Sequence, residues 1–381
     1  MHICMLVLNT FTHDTRVLKE AQTLAEAGHR VTVWALGDGA LTAHEQRNGF
    51  EVKRWQSHVE RWPARVPGLM LLEQLVAITR RLCREEADVY HAHDANALSI
   101  AYLASRLRQA ALVYDAHELW VGTPGRDWKS RGRLKVWKLA ERSLINRTQA
   151  VITVNPLVAQ QLNRLYDVDP IVVMNCHQYV KPKHSDVLRK ELGIPAQDRI
   201  AIYAGSLTRG RGLERLISAV PHLDRVVVVL MGPDRLGGKL QRLAEDLGVQ
   251  NRVRFRVPVP PSQVNRYVAS ADVGLMPTQA IKPSYYYGSG NKLFHYIMAG
   301  IPAAVSDHPE KRRIVETYDV GAVFDETDTR DMARTINRLL NDKARHDRLC
   351  HNARRAAREA LNWGVEERKL LRLYRCLQES R

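Results

Sequence analysis

The glycine-rich segment Tyr203–Leu213 carries the clearest chemical signal in the sequence. It reads Tyr-Ala-Gly-Ser-Leu-Thr-Arg-Gly-Arg-Gly-Leu, and it lies between an apolar run, Ile200–Ala204, and a helical pattern. Backbone N–H groups at such a helix start favour a phosphate group. The candidate ligands are Gly205, Ser206, Arg209 and Arg211. Since the Lys-Ser/Thr of a Walker A loop and the third glycine of a GxGxxG fingerprint are both missing, neither ATP hydrolysis nor dinucleotide binding is favoured. The alternative is a tight turn with two solvated arginines.

A second phosphate-competent segment lies at Ser284–Gly300. There Gly288, Ser289 and Gly290 precede a predicted helix that runs to Met298. Its first turn offers backbone N–H groups and a lysine. The candidate ligands here are Gly290, Asn291, Lys292, Leu293 and His295. Two such helix starts suit a diphosphate better than a single phosphate. The alternative is that Tyr285–Tyr287 are packing aromatics and that Lys292 is a surface charge.

Polar residues also follow a predicted strand in the first half of the chain, in Val113–Trp120. Asp115, His117 and Glu118 come at the carboxyl end of that strand, where open α/β sheets bind ligands. His117 could exchange a hydrogen bond with a reacting oxygen near neutral pH. If its acceptor nitrogen must stay unprotonated, activity should fall as the pH drops through the histidine range. The alternative is a structural histidine in a loop.

Two further histidines, His91 and His93, are two positions apart in Tyr90-His-Ala-His-Asp94. On one face of a strand, such a pair could ligate a metal. Because no second histidine or carboxylate cluster at a characteristic spacing accompanies them, the sequence favours pocket lining or strand-end packing, and no metal is predicted.

The net charge is +16 with a pI near 9.8, and it is locally concentrated. Between Arg126 and Arg147 eight basic residues stand against Asp127 and Glu141, with Trp128 and Trp137 interleaved. This pattern predicts an anionic or lipid-linked acceptor and a peripheral membrane surface. The alternative is an amphipathic surface helix with solvated arginines. Nucleic acid is not predicted as a partner, because only the charge suggests it and no recognised module is present.

The cysteines and the amino terminus predict a cytoplasmic location. Five scattered cysteines without a CxxC pair indicate a reducing compartment. The opening MHICMLVLN lacks the basic stretch, long apolar run and cleavage site of a signal peptide. The apolar runs are far shorter than the roughly 20 residues that span a bilayer. We expect a soluble protein, or one peripheral at the inner face of a membrane.

Short apolar runs that alternate with helical patterns predict that parallel sheets position these residues. Each half of the 381 residues contains enough strands for a complete doubly wound α/β sheet. The first series is Ile3–Leu8, Arg30–Ala35, Val89–His91, Leu112–Asp115, Val151–Val154 and Ile171–Met174. The second is Ile200–Ala204, Val226–Met231, Val253–Val257, Val273–Met276, Ala303–Ser306 and Ala322–Phe324. The polar segment Tyr179–Asp186 separates the two series, which predicts two similar domains with the active site in a cleft between them.

Together these motifs resemble the family 4 glycosyltransferases, and the resemblance covers essentially the whole chain. Asp14–Ala21 and Leu24–Val31 look like the family's opening helix and turn, and Asp115–Glu118 looks like its histidine segment. Tyr203–Leu213 resembles the donor-phosphate loop, and Asn291–Pro302 resembles the donor-binding helix. The resemblance implies the GT-B fold of two facing Rossmann-like domains. It places an acceptor-side domain at 1–180, a nucleotide-sugar domain at 181–365 and a last helix, 366–381, that crosses back to the first.

The resemblance further implies sugar transfer from a nucleotide diphosphate donor with retention of configuration, and without a cofactor or catalytic metal. The acceptor would be a glycan, a lipid-linked molecule or a small molecule, as in bacterial polysaccharide or glycoconjugate biosynthesis. His117 takes the catalytic position, and Arg211 the position of the basic residue that neutralises the diphosphate. Ser206 stands where many members have arginine, a loss for which Arg209 could compensate. Tyr287 and His295 stand where many members have glutamates, and His295 could still accept one ribose hydroxyl hydrogen bond.

The acceptor side falls, by the same resemblance, on Asp14, Arg16, His93, Asp94 and Glu118. Two other functions stay open at this point. A nucleotide-sugar epimerase of the same fold would use the same phosphate sites without an acceptor. A non-catalytic glycosyltransferase-like partner protein is suggested by His295.

Overall fold

The computed structural model describes residues 1–56, 67–119 and 128–380, without the side chains of 56, 67–74, 128–131 and 133. The chain divides into two compact units. Unit 1 is Met1–Asn175 with Glu366–Arg381, and unit 2 is Cys176–Val365. The stretch 173–186, which contains the predicted linker, has neither helix nor strand.

Unit 1 is built on an eight-stranded sheet within the described ranges, with the strand order β3-β4-β2-β1-β5-β6-β7-β8. All neighbouring strands are parallel except β3 and β4. The strands are β1 (His2–Leu6), β2 (Arg30–Gly37), β3 (His44–Arg47), β4 (Phe50–Gln56), β5 (Val89–His93), β6 (Ala111–Ala116), β7 (Ala150–Thr153) and β8 (Ile171–Val172).

The central strands of unit 1 are buried on both faces, which is why their sequences are nearly continuous apolar runs. Every residue of β1 and β5 is buried. All six predicted strands are present, with ends that differ by one or two residues. The edge pair β3 and β4 was not predicted, because HEQR and FEVKRWQ mix polar and apolar residues as half-exposed edge strands do.

Helices flank this sheet, and they start after the carboxyl ends of the strands. They are α1 (Thr15–Glu26), α2 (Pro67–Leu82), α3 (Ala95–Arg108), α4 (Trp128–Leu144) and α5 (Pro156–Tyr166). The last helix of the chain, Trp363–Glu379, also packs on unit 1 through buried Leu370 and Tyr374. Its Glu366 accepts a hydrogen bond of 2.8 Å from the backbone N–H of Met174.

Unit 2 contains a second sheet, fully parallel, with six strands in the order β11-β10-β9-β12-β13-β14. The strands are β9 (Arg199–Ala204), β10 (Val226–Met231), β11 (Val253–Arg256), β12 (Val273–Met276), β13 (Ala303–Ser306) and β14 (Gly321–Phe324), all as predicted to within one residue. All six residues of β10 are buried, and its Val and Leu side chains form the core with the helices.

The helices of unit 2 are α6 (Val187–Leu192), α7 (Leu213–Ala219), α8 (Lys239–Asp246), α9 (Pro261–Val268), α10 (Pro283–Tyr286), α11 (Asn291–Ala299), α12 (Pro309–Tyr318), α13 (Thr329–Asn341) and α14 (Lys343–Glu359). The helix of Trp363–Glu379 is then α15. Asp342 separates α13 from α14, and its carboxylate accepts the Arg345 N–H at 2.9 Å and so caps α14. Across the described ranges, every helix is too short or too polar to cross a bilayer.

Candidate functional site

His117 lies directly after β6, at the carboxyl end of the unit 1 sheet, between two carboxylates. Its Nε2 is 2.9 Å from Oδ2 of Asp115, and its backbone N–H donates to Oδ1 of Asp94 at 3.1 Å. Asp94 directly precedes α3 and has a φ of +67°, a backbone conformation that residues other than glycine rarely adopt. Such strain is characteristic of functional positions. The His117 side chain keeps 16% of its surface exposed, so the ring is accessible from outside.

These two carboxylates decide the charge of His117. Burial lowers its pKa, but Asp94 and Asp115 together outweigh the burial and raise the pKa to about 9. His117 is therefore an imidazolium at neutral pH and can only donate hydrogen bonds. The expectation of an unprotonated ring that accepts a hydrogen bond is wrong, because the sequence does not reveal that two carboxylates converge on this ring.

Arg16, on the first turn of α1, orients the Asp115 carboxylate through two hydrogen bonds. Its Nε and a terminal N–H donate to the two oxygens of Asp115 at 2.7 and 2.8 Å, and the other terminal N–H donates to the carbonyl of Val173 at 2.6 Å. Burial alone would raise the pKa of Asp115, yet the charges of Arg16 and His117 hold it well below its usual range. This bidentate pair fixes the orientation of the carboxylate that contacts His117.

The other residues assigned to the acceptor side fall into two groups. His93 is buried, with Nδ1 3.2 Å from Nε2 of His117 and 3.4 Å from Asp115. Asp14 and Glu118 are only partly buried. Asp14 caps α1, since its carboxylate accepts the Val17 N–H at 3.2 Å. Of the five residues, Asp14, Asp94 and Glu118 are half-buried, while Arg16 and His93 are buried and contact the His117 site from the interior.

In unit 2 the glycine-rich loop after β9 lies against Lys292 of α11. A Cβ atom on Gly205 would come within 2.5 Å of the Lys292 side chain, and one on Gly212 would come within 1.8 Å of the Pro277 carbonyl oxygen. Both glycines also have positive φ values, 148° and 69°. The backbone conformation therefore favours glycine at both positions, and the backbone clash at Gly212 also leaves no space for a side chain.

Three cationic side chains of this region lack carboxylate partners. Arg211, Lys292 and Lys311 form no ion pair with any residue that the structure describes. Instead, the Arg211 guanidinium lies 4.4 Å from the centre of the Tyr285 ring. Lys292 Nζ lies 4.9 Å from the centre of the Tyr203 ring. Lys311 is 1% exposed, and its Nζ donates to the carbonyl of Tyr285 at 2.6 Å.

Their mutual repulsion appears in the pKa values. Burial, then the charges of Arg211 and Lys311, lower the pKa of Lys292 to about 7. Burial and Arg211 likewise lower the pKa of Lys311 to about 7, although Glu326 opposes the shift. One buried and two half-buried cations that form no ion pair are unfavourable together, and their grouping becomes favourable when an anion binds.

Arg211 and Lys292 are among the ligands that the sequence predicts, whereas Lys311 is not. Lys311 belongs to Pro309-Glu-Lys-Arg-Arg313, which has the composition of a solvated charge run. Only the packing of α12 reveals that its side chain is buried. The remaining candidates are more peripheral. Arg209 has an exposed side chain, and Ser206 accepts a hydrogen bond from the Tyr203 hydroxyl through its carbonyl, at 3.0 Å.

The start of α11 matches the predicted phosphate-competent helix. Gly290 precedes the helix with a φ of 71°, and Asn291, Lys292 and Leu293 form its first turn. One turn later, Nδ1 of His295 is 2.8 Å from Oδ1 of Asn265. The His295 ring also lies against the ring of His177, with centres 3.8 Å apart. The side-chain oxygen of Asn265 accepts this hydrogen bond, which places a proton on Nδ1 of His295.

Two family models match nearly the whole chain. Residues 14–176 match the model described as Glycosyltransferase Family 4, and residues 184–359 match Glycosyl transferases group 1. The D-inositol 3-phosphate glycosyltransferase of Corynebacterium glutamicum is 25% identical over 79% of this chain and 74% of its own length. An uncharacterized glycosyltransferase of Methanocaldococcus jannaschii is 22% identical over 94% of this chain and 93% of its own.

Solved structures of other proteins share the fold of this chain. Sucrose-phosphate synthase from Thermosynechococcus elongatus superposes with a TM-score of 0.82 at 19% identity and covers 100% of both chains. HepE of Anabaena, solved in complex with UDP and glucose, superposes with a TM-score of 0.77 at 19% identity and covers 99% of this chain and 100% of its own. The predicted α/β fold class with two Rossmann-like sheets, of the GT-B type, is confirmed. This protein belongs to the family 4 glycosyltransferases and is a glycosyltransferase enzyme.

Proposed function

We propose that this enzyme transfers a sugar from a nucleoside diphosphate donor and that unit 2 holds the diphosphate with Arg211, Lys292 and Lys311. The observation that carries this proposal is the cationic group itself, with two lysines whose pKa is lowered to about 7. A diphosphate would supply the missing negative charge. The complexes of HepE with UDP and with UDP-glucose support the same donor class.

In the proposed reaction, an acceptor hydroxyl attacks the anomeric carbon while the bond from that carbon to the diphosphate oxygen breaks. The electron pair of this bond leaves with the nucleoside diphosphate, and the hydroxyl proton passes to its phosphate oxygen or to solvent. Positive side chains and the backbone N–H groups at Asn291–Leu293 stabilise the charge that develops on the leaving group. This chemistry needs no cofactor or metal at the phosphates, and the configuration is retained when attack and departure occur on the same face.

His117 is proposed as the catalytic residue of unit 1. As an imidazolium it donates a hydrogen bond to a hydroxyl of the transferred sugar and so orients the sugar for attack. Asp115 and Asp94 keep it charged, and Arg16 keeps Asp115 oriented. His295 is proposed to contact a ribose hydroxyl of the nucleotide, because it stands at the position of the family's glutamate. Asp14 and Glu118 are proposed as acceptor contacts, because their side chains stay partly exposed.

We further propose an anionic or lipid-linked acceptor, reached from a membrane surface. Arg126, Lys129, Arg131 and Arg133 lie outside the described side chains, but the rest of α4 supports the proposal. Its exposed surface combines Val136, 52% exposed, and Leu139, 66% exposed, with the exposed cations Lys135 and Arg142. Apolar side chains beside basic ones suit an anionic bilayer interface.

A panel of nucleotide sugars tests the donor proposal. Released nucleoside diphosphate is measured with and without glycan and lipid-linked acceptors, and nuclear magnetic resonance of the product gives the anomeric configuration. Acceptor-dependent release by the wild type should fall at least tenfold in Lys311→Met and stay unchanged in Lys239→Met, an exposed lysine of the same unit. Conversion of the donor sugar without any acceptor would instead indicate an epimerase.

Vesicle sedimentation tests the membrane proposal. Binding to anionic vesicles at low salt should weaken as the salt concentration rises, because ions screen the attraction. Leu139→Glu should reduce binding, whereas Leu165→Glu, at a 46% exposed position on α5, should not. Equal binding by all three proteins, or none at low salt, would favour a soluble acceptor.

A further inference from the structure

Two buried histidines of β5 and a buried glutamate of α1 leave polar atoms without partners in the interior of unit 1. His91, His93 and Glu20 are each at most 1% exposed. In the described part of the chain, Nε2 of both histidines and both carboxylate oxygens of Glu20 lack a hydrogen-bond partner. Native interiors rarely leave so many polar atoms unsatisfied in one place. A bound ion is one standard explanation for such a group.

The other ring nitrogens of the histidines are already engaged. Nδ1 of His91 lies 2.8 Å from the hydroxyl of Tyr374 on α15. Nδ1 of His93 lies 3.4 Å from Asp115 and 3.2 Å from His117. Metal-binding histidines are typically oriented in this way, with one nitrogen held by a hydroxyl, carbonyl or carboxylate and the other directed at the ion.

The ligand atoms are close enough to share one ion. His91, His93, Glu20 and Asp115 each offer a ligand atom, and these four atoms all lie within 4.8 Å of one another. The two imidazole rings are stacked, with centres 4.3 Å apart, since residues two apart on a strand share one face. Arg16 and His117 already occupy the oxygens of Asp115. The ligands available for an ion are therefore three: the two imidazoles and the Glu20 carboxylate.

Arg16 is the main feature that opposes an ion here, because its Nε lies 3.1 Å from Oε1 of Glu20. This contact is an ion pair without hydrogen-bond geometry. The guanidinium instead directs its hydrogen bonds at Asp115 and the Val173 carbonyl. Glu20 thus keeps lone pairs for a second cation.

We propose that His91, His93 and Glu20 bind a divalent transition-metal ion of the zinc class, with Asp115 close enough to complete or support the set. Two imidazole nitrogens and a carboxylate suit Zn²⁺ better than Mg²⁺ or Ca²⁺, which prefer oxygen ligands. The ion would join α1, β5 and, through Tyr374, α15 beneath the His117 site. Its role is structural, because the ligands are buried. The sequence did not predict this site, because Glu20 and Asp115 are far from His91 and His93 along the chain and only the fold brings the four residues together.

The test measures zinc in the full-length protein purified from zinc-supplemented cells, after dialysis against a weak chelator. Wild-type protein should contain about one ion per chain. Glu20→Gln, which keeps the shape and removes the charge, and His93→Gln should each lower this content at least tenfold. His29→Gln is the matched control, a partly buried histidine of the same unit whose ring lies 6.2 Å from that of Tyr374.

Co²⁺ in place of Zn²⁺ adds a spectroscopic measure of the ligands. The proposed site should give d–d absorption bands without the sulfur-to-metal charge transfer that a cysteine site would show. Loss of these bands in Glu20→Gln, with the circular dichroism spectrum unchanged, would support the proposal. Equal metal content in wild type, Glu20→Gln and His29→Gln, or metal-free wild-type protein, would overturn it and indicate an adventitious ion or none.

Discussion

Raising the pH above 7 should weaken the binding of a nucleoside diphosphate, and binding at pH 8 should take up protons. Lys292 and Lys311 have pKa values lowered to about 7, mainly by burial and further by neighbouring positive charge, although Glu326 opposes the shift at Lys311. A bound diphosphate adds negative charge, which favours the protonated form of both lysines and raises their pKa. The binding-competent state is therefore the protonated one.

The size of the effect follows from these pKa values. A lysine with a pKa of about 7 is half charged at pH 7 and roughly 3% charged at pH 8.5. If one lysine must be charged, affinity falls roughly 15-fold between these pH values, and if both must be charged it falls up to about 250-fold. Proton uptake should approach about two per chain at pH 8 and fall to about one at pH 7. The comparison stays above pH 7, because a terminal phosphate itself titrates near 6.

Isothermal titration calorimetry with UDP and GDP, in two buffers of different ionisation enthalpy, measures both affinity and proton uptake. Lys292→Met should lose about one proton of the uptake at pH 8 and show a flatter pH dependence. Lys239→Met, on the surface of the same unit, should behave as the wild type. An affinity that is constant or rises between pH 7 and 8.5, with no proton uptake, would refute the proposed role of the two lysines.

Three substitutions test other parts of the structure. His117→Ala should lower turnover about 100-fold and leave nucleoside diphosphate affinity nearly intact, whereas a purely structural histidine would lower the melting temperature and preserve the activity of the folded fraction. Arg16→Met should lower the free energy of unfolding in urea by about 3 kcal/mol, because Asp115 loses the buried positive charge that faces it. An unchanged free energy would show that Arg16 does not stabilise Asp115. Gly212→Ala should destabilise the protein by more than about 2 kcal/mol, since its Cβ would lie 1.8 Å from the Pro277 oxygen, and a wild-type melting curve would contradict the loop geometry.

The parallel strands were predictable because their residues are buried on both faces. Val226–Met231 is six consecutive apolar residues, and the strand has the predicted bounds. The glycine-rich loop was predictable for a similar local reason, since the positions that need positive φ values are glycines. Edge strands such as His44–Arg47 were missed, because an edge partly exposed to solvent tolerates polar residues.

The electrostatics of the site could not be read from the sequence, because they depend on contacts between distant elements. Asp94 follows β5 and Asp115 lies near the end of β6, and only the pairing of these strands in the sheet brings both carboxylates to His117. That contact reverses the expected protonation state of the ring. Lys311 was missed for the same reason, since a run of charged residues does not show which side chain is buried.

A structure of the complex with a nucleoside diphosphate tests the central proposal most directly. The account predicts the two phosphates beside Arg211, Lys292 and Lys311, with oxygens about 3 Å from the two lysine Nζ atoms and from backbone N–H groups at the start of α11. Phosphates that bind elsewhere and leave both lysines without an anionic partner would contradict it.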